Sequence, residues 1–288
     1  MAIYHLHANV GTRAKGSNSE RTYDYIHRKG NYSEKLEPGA QGEVVFSTSE
    51  AMPRWAEDRP RLYWCSADRY ERKNATLFRT LEFSLPVEMG REQRARLALE
   101  FARHVTKVDG GRLPFSLAIH RGKEHNPHCH MMMSERINDS VPRAPKLWFS
   151  RAAPKNMDPA RGGARKARLR AKGKKKSWLE SVRQKWQDIH NFALLKWNIR
   201  ANRIDCRTLE EQGIVDRYPT IHLGPGLQNI LLDERPIPEV LRGQVEKFVR
   251  VAEANQSANP FADMPMEQTQ DGAQKKDAQK ARQEMDGR

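Results

Sequence analysis

The stretch Phe115-Ser-Leu-Ala-Ile-His120, followed after a short polar link by His128-Cys-His-Met-Met-Met133, decides the fold of this chain. Both runs are short and apolar, and the link contains glycine, asparagine and proline, so the pattern predicts a β-hairpin. Because side chains alternate between the faces of a strand, His128 and His130 share one face. His120 ends the partner strand, and the hairpin therefore brings three imidazoles together.

Three neutral imidazoles are a good ligand set for Mn, Co, Ni or Zn, and cellular supply favours Mn or Mg as the divalent ion. Three protein ligands also leave open positions for a substrate oxygen, which structural metal sites lack. Solvated histidines on a strand face are the alternative. The histidine-triad nucleotide hydrolases match less well, because they need His-x-His-x-His and Asn126 stands two positions before His128. We expect His125, in the turn, to face solvent or a phosphate.

Composition indicates a polyanionic partner. The chain has 288 residues, a net charge of +15, 30% charged residues and a mean hydropathy of -0.85. Such a charge favours nucleic acids, because neutralising phosphates releases counterions. Three widely spaced cysteines (Cys65, Cys129, Cys206) form no CxxC pair and indicate a reducing compartment. With no secretory signal and no apolar run of about 18 residues, the expected location is the cytoplasm.

Helical and extended patterns alternate along the chain. Strands are predicted over 2–8, 42–47 and 78–85 in addition to the hairpin, and helices over 18–28, 53–72, 90–107 and 178–200. The first helix is expected to begin with a capping box formed by Ser17 and Glu20. Because the alternation includes an adjacent hairpin, it predicts an α+β domain rather than a wholly parallel sheet.

The first predicted helix carries a candidate nucleophile. Arg21, Tyr25 and Arg28 are spaced i, i+4 and i+7 and so share one helix face. A phenol flanked by guanidinium groups suits phosphate chemistry. Tyr23 is expected to pack inward with Ile26. A purely structural Tyr25 is the alternative.

A candidate carboxylate lies on the strand before the third helix. Leu81, Phe83 and Leu85 alternate with Glu82, which places Glu82 on the opposite, polar face. If the histidine strand is its neighbour, Glu82 can orient a ligand imidazole or accept a proton. A solvated strand glutamate is the alternative.

The composition of two segments predicts that they are mobile. Residues 161–176 are rich in lysine, arginine and glycine, contain no acid, and are expected to form a mobile basic segment that contacts DNA. The candidate DNA-binding residues are Arg21, Arg28, Arg165, Lys166, Arg168, Arg170, Lys174, Lys175 and Lys176. From about residue 253 the chain is rich in Gln, Ala, Asp and Lys, and a disordered or loosely helical tail is expected.

These motifs, taken in order, resemble the MobA/MobL (MobQ-type) plasmid mobilisation relaxases of the HUH endonuclease superfamily. The resemblance rests on the opening residues 1–6, on residues 24–26, 81–86, 117–120, 126–130 and 134–139, and on later blocks at 203–213 and 221–225. It implies a relaxase domain over residues 1–226, with a central, mainly antiparallel sheet flanked by helices. An extension over 227–252 and the polar tail over 253–288 follow.

The resemblance also implies the roles of the site residues. Tyr25 corresponds to the nicking tyrosine, and His120, His128 and His130 correspond to the metal ligands. Glu82 lies beside the site. Some relatives carry a second acidic residue two positions earlier, where this chain has Thr80.

The implied activity is nicking of single-stranded DNA at a plasmid origin of transfer, through a 5′-phosphotyrosine, with religation after conjugative mobilisation. Implied partners are that DNA, accessory mobilisation proteins and the coupling protein of a type IV secretion system, in a bacterial cytoplasm. Two other functions stay open. One is a metal-dependent nucleotide or DNA hydrolase that uses activated water, with Tyr25 structural. The other is a non-catalytic DNA-binding accessory protein that uses residues 161–176.

Overall fold

The computed structural model describes residues 4–33, 43–121, 126–169, 177–219, 227, 230–231 and 235–258. The chain divides into two compact units, Met1–Cys206 and Arg207–Arg288. Among the described helices, none combines the length and the apolar character that crossing a membrane requires.

The first unit is built on one antiparallel sheet of five strands. In spatial order these are β1 (Leu6–Thr12), β3 (Thr76–Ser84), β7 (His128–Met133), β6 (Phe115–His120) and β2 (Val44–Glu50). Every neighbouring pair is antiparallel. Two very short strands, β4 (Lys107–Val108) and β5 (Gly111–Arg112), form a separate ribbon. The predicted hairpin is β6 and β7.

Helices cover both faces of this sheet. They are α1 (Ser19–His27), α2 (Pro60–Tyr70), α3 (Arg91–Thr106), α4 (Pro145–Trp148) and α5 (Trp178–Lys196). On one face α3 and α5 bury Phe101 and Trp186 against Phe83 of β3. On the other face α1, α2 and α4 form a second core with Ala118 of β6 and Met132 of β7. The predicted α+β architecture with an antiparallel sheet flanked by helices is confirmed.

Element boundaries differ from the sequence prediction where tertiary contacts intervene. The N-cap of α1 is Asn18, whose side chain accepts from the Arg21 N–H, and not Ser17. The Ser17 hydroxyl instead accepts from the Thr12 N–H. A 3-10 turn over Arg54–Ala56 precedes α2, so the helix predicted from residue 53 begins at Pro60.

The basic segment is ordered in its first part. Ala164 is fully buried, and its N–H donates to the Trp148 carbonyl, while the Ala167 N–H donates to the Glu135 carbonyl. Arg136 also donates to the Ala164 carbonyl. The prediction of a mobile segment is therefore wrong for residues 161–169, because backbone hydrogen bonds fix them. Residues 170–176 lie outside the described residues.

The second unit contains α6 (Glu239–Ala258), which packs Val245 against Leu227. The helix includes residues 253–258, the start of the predicted tail, and so agrees with the loosely helical form of that prediction at these six positions. The rest of that tail lies outside the described residues. The division into 1–226, 227–252 and 253–288 stays a prediction.

Candidate functional site

The three histidines of the hairpin meet at one end of the sheet. His120 lies directly opposite His128 across β6 and β7. His130, which pairs with Ala118, is the next residue of β7 on the same face. One ring nitrogen from each lies within 4.8 Å of the other two. His120 is fully buried. The geometry is that of a three-ligand metal site.

Each imidazole has one nitrogen beside a protein oxygen, so the other nitrogen is the candidate ligand atom; at His120 this is Nδ1, which Arg28 approaches in the structure. The contacts are His120 Nε2 to the Ile26 carbonyl at 2.7 Å, His128 Nδ1 to the Asn126 carbonyl at 3.1 Å and His130 Nδ1 to Glu82 Oε2 at 3.5 Å. At His120 and His128 the ring N–H donates to the backbone carbonyl, so the second nitrogen of these two rings carries its lone pair. The protein thereby fixes the tautomers that a metal site needs.

Burial keeps two of these rings neutral. It lowers the pKa of His120 to about 4, and the electrostatic interactions of this ring with Arg28 and His128 act in the same direction. Burial likewise lowers the pKa of His130 to about 2, with His120, His128 and Arg28 adding to the effect. Because metals bind the neutral imidazole, protons do not compete for these two ligands near neutral pH.

The donor set fits a divalent transition ion. Imidazole ligands suit Mn, Co, Ni or Zn better than they suit Mg. The three residues would hold such an ion, and three protein ligands would leave coordination positions for a substrate oxygen.

Tyr25 faces this cluster from α1. The inward positions of α1 are taken by Tyr23 and Ile26, which are buried in the second core, so Tyr25 points outward and is 40% exposed. The centroid of its ring lies 6.0 Å from that of His130, with the rings nearly perpendicular. The phenol and the imidazoles therefore border the same gap.

Arg28 connects the tyrosine to the histidines. It follows the last residue of α1 in the left-handed conformation, with φ 51° and ψ 51°, and its N–H donates to the Asp24 and Tyr25 carbonyls. This sharp helix end places the guanidinium 4.5 Å from the centroid of the Tyr25 ring and its Nη2 3.4 Å from His120 Nδ1. A positive charge thus lies between the phenol and the imidazoles, where a phosphate would sit.

Glu82 lies beside the histidines, on the face that its strand pattern predicted and in the place that the resemblance implied. It is paired directly with His130 across β3 and β7, and with His7 across β1 and β3. Its side chain is 40% exposed. The polar face of the sheet therefore continues from the histidines over Glu82 to the exposed His7 and Asn9 on the edge strand.

The structure does not bring the other basic candidates to the histidines. Arg21 is exposed on α1 and has no ring contact with Tyr25 among the described contacts. Lys166 pairs with Glu71 at 3.2 Å and donates to the Thr76 carbonyl at 2.8 Å, at the opposite end of β3 from Glu82. Of the remaining candidates, Arg165 and Arg168 are exposed, and Arg170, Lys174, Lys175 and Lys176 lie outside the described residues, as does His125.

Tyr32 was not identified from the sequence. Its ring meets that of Tyr25 edge to face, with centroids 5.5 Å apart. The chain reaches this position through Gly30, whose φ of 56° turns it back after α1. An aromatic residue two positions after a helix-ending glycine was the available signal, but its direction depends on the left-handed Arg28 that precedes the glycine.

Comparison with known proteins places the chain. The MobA/MobL family model matches residues 9–232. Mobilization protein A of Escherichia coli is 47% identical over 227 residues, which are 79% of this chain and 30% of that protein. The 43 kDa relaxation protein of Salmonella typhimurium is 37% identical over 221 residues, which are 74% of this chain and 56% of that protein.

The chain thus spans 30% and 56% of the lengths of these two relatives. A solved chain described under "Molecular Basis of Vancomycin Resistance Transfer in Staphylococcus aureus" aligns with a TM-score of 0.48 and 19% identity, over 72% of this chain and 100% of that one. Since the family model extends over most of the sequence, from β1 through both histidine strands, the chain belongs to the MobA/MobL family.

Proposed function

We propose that this chain is a relaxase, which nicks single-stranded DNA at a plasmid origin of transfer and reseals it during mobilisation. The observation that carries the proposal is the 6.0 Å separation between the ring centroids of Tyr25 and His130, with the Arg28 guanidinium over the phenol ring. The names of the two relatives, a mobilization protein and a relaxation protein, agree with it.

The substrate is a single strand whose scissile phosphate occupies the gap between Tyr25 and the histidines. Arg28 receives a non-bridging oxygen of that phosphate through a charge-assisted hydrogen bond. The exposed polar face of the sheet, from Glu82 to His7, is the surface that would contact the adjoining nucleotides. The net charge of +15 favours the approach of a polyanion.

The reaction is an in-line transesterification. Tyr25 Oη bonds to phosphorus, and the bond from phosphorus to the 3′ oxygen breaks. The phenol loses its proton, and the released 3′ oxygen gains one to become a hydroxyl. The 5′ end stays on Tyr25 as a phosphodiester. Because no phosphodiester is lost, the 3′ hydroxyl can attack this bond in reverse and close the strand.

The remaining residues prepare the site. His120, His128 and His130 would hold a divalent ion, Mn or Mg, which would supply Lewis-acid neutralisation of the phosphate charge. Glu82 orients His130 by accepting its Nδ1–H, at the 3.5 Å separation described above. Wider parts of the same proposal are accessory mobilisation proteins and the coupling protein of a type IV secretion system as partners, in a bacterial cytoplasm.

The direct test incubates the protein and Mn²⁺ with a supercoiled plasmid that carries its own mobilisation region, and then maps the nick and the attached residue. We expect a covalent protein–DNA adduct on Tyr25. Tyr25→Phe removes the adduct and leaves DNA binding nearly intact. Tyr70→Phe, a matched change at a half-buried tyrosine on α2, retains the adduct. An adduct that persists in Tyr25→Phe contradicts the role of Tyr25.

The same experiment separates the rival functions. A hydrolase that uses activated water cuts the strand and leaves no covalent adduct. An accessory DNA-binding protein binds DNA without a divalent ion and does not cut it. The double change His128→Ala and His130→Ala removes metal-dependent cleavage, and cleavage that survives both changes would contradict the ligand assignment.

A further inference from the structure

The ring of Tyr32 stands next to Tyr25 and lies outside both hydrophobic cores of the first unit. Two left-handed residues, Arg28 at φ 51° and Gly30 at φ 56°, fold the chain back after α1. A 3-10 turn over Gly30–Tyr32 then presents the ring, and the Tyr32 N–H donates to the Lys29 carbonyl at 3.1 Å. The backbone therefore sets the position of this side chain.

Tyr32 has the environment of a surface platform and not of a core residue. It is half-buried, and its phenol forms no hydrogen bond within the described part of the chain. Tyr63 shows the contrast, since it is fully buried and its hydroxyl donates to Ser134 at 2.8 Å. An aromatic ring that neither fills a core nor satisfies its hydroxyl is accessible to a flat ligand.

We propose that Tyr32 stacks the base of a nucleotide that flanks the scissile phosphate, and so holds this phosphate in front of Tyr25. The proposal rests on the proposed function, because that function supplies the single strand. Every base has a π-face, so aromatic side chains hold single strands with little dependence on sequence. The centroids of the two rings lie 5.5 Å apart, so the two side chains can contact adjoining parts of one strand.

The contacts of Tyr25 and Tyr32 differ, and this difference indicates different roles for the two tyrosines. Tyr25 carries the Arg28 guanidinium over its ring and meets His130, so it borders the place where charge develops. In the described chain, Tyr32 has neither a guanidinium over its ring nor a contact with a histidine. Tyr32 is thus a positioning residue, and its aromatic ring is the part that acts.

The test uses 2-aminopurine, whose fluorescence falls when it is stacked. The probe is a 30-nucleotide strand across the mapped nick, with 2-aminopurine at one flanking nucleotide at a time, bound to full-length Tyr25→Phe protein. We expect quenching at one flanking position when residue 32 is Tyr, Phe or Trp, and its loss in Tyr32→Leu and Tyr32→Gln. Binding should weaken about tenfold in these two variants.

With Tyr25 intact, Tyr32→Phe should form the adduct at the wild-type rate and Tyr32→Leu about tenfold more slowly. Tyr70→Leu is the matched control, and it should change neither quenching nor rate. Unchanged quenching in both Tyr32→Leu and Tyr32→Gln overturns the stacking role, and so does an adduct mapped to Tyr32. A wild-type protein without an adduct on Tyr25 overturns the proposed function itself, whereas failure of the stacking role alone leaves that adduct in place.

Discussion

Replacing Glu82 by Gln tests how this residue acts. Glu82 Oε2 lies 3.5 Å from His130 Nδ1, and no hydrogen bond or ring contact between Glu82 and Tyr25 is found in the described chain. An orienting carboxylate raises the basicity of the ligand imidazole and fixes its ring. Glu82→Gln keeps the shape and an accepting oxygen and removes only the charge. We therefore expect weaker metal binding in this variant.

The expected size of the effect follows from exposure and distance. Loss of an outer partner of a metal ligand commonly costs 10- to 100-fold in affinity. Glu82 is 40% exposed and its contact is long, so water screens the charge and the lower value applies. Metal affinity should fall about tenfold, or about 1.4 kcal/mol.

Isothermal titration of the full-length protein with MnCl₂ or ZnCl₂, without DNA, measures this directly. Glu50→Gln is a matched control, because Glu50 pairs with Arg103 at 2.7 Å and lies at the far end of the sheet. It should bind metal like the wild type. If Glu82→Gln binds metal normally and yet loses adduct formation, Glu82 accepts the phenol proton and does not orient His130.

Three further results are expected. His120 and His130, with pKa values lowered from 6.5 to about 4 and about 2, should show no NMR titration between pH 5 and 8. The unfolded chain binds these protons at a higher pH than the folded chain does, so the metal-free protein should lose stability as pH falls below about 6.5. Arg136→Met leaves the Glu71 carboxylate buried without its main partner, so urea unfolding should show a loss of about 3–5 kcal/mol, and a loss under 1 kcal/mol would contradict this. Arg28→Gly relieves a left-handed side chain, so the melting temperature should not fall, while adduct formation should drop; normal adduct formation would remove Arg28 from the site.

The sequence predicted the histidine cluster well because the cluster is local. His120, His128 and His130 belong to one hairpin, and the alternation of a strand decides which faces they share. Glu82 was different, since its face could be derived but its neighbour could not. Only the order of the strands, with β3 beside β7, places Glu82 opposite His130.

Two other predictions failed because tertiary contacts outweighed local preference. Ser17 and Asn18 are both good N-cap residues, and Asn18 caps α1 because the Ser17 hydroxyl is used by β1. The basic segment was expected to be mobile from its composition. Its described part, residues 161–169, is fixed because Arg136 and the Glu135 and Trp148 carbonyls pair with its backbone.

The end of α1 positions both the proposed nucleophile and a candidate metal ligand, and no local sequence pattern predicts it. The Ile26 carbonyl, one residue after Tyr25, accepts the His120 N–H at 2.7 Å, and Arg28 turns back over the Tyr25 ring. The backbone that follows the proposed nucleophile therefore also fixes the tautomer of a candidate metal ligand. A shift of this helix end moves the phenol, the guanidinium and the His120 ring together, so their mutual geometry is set before a substrate arrives. Such preorganisation lowers the cost of reorganising the site during a phosphoryl transfer.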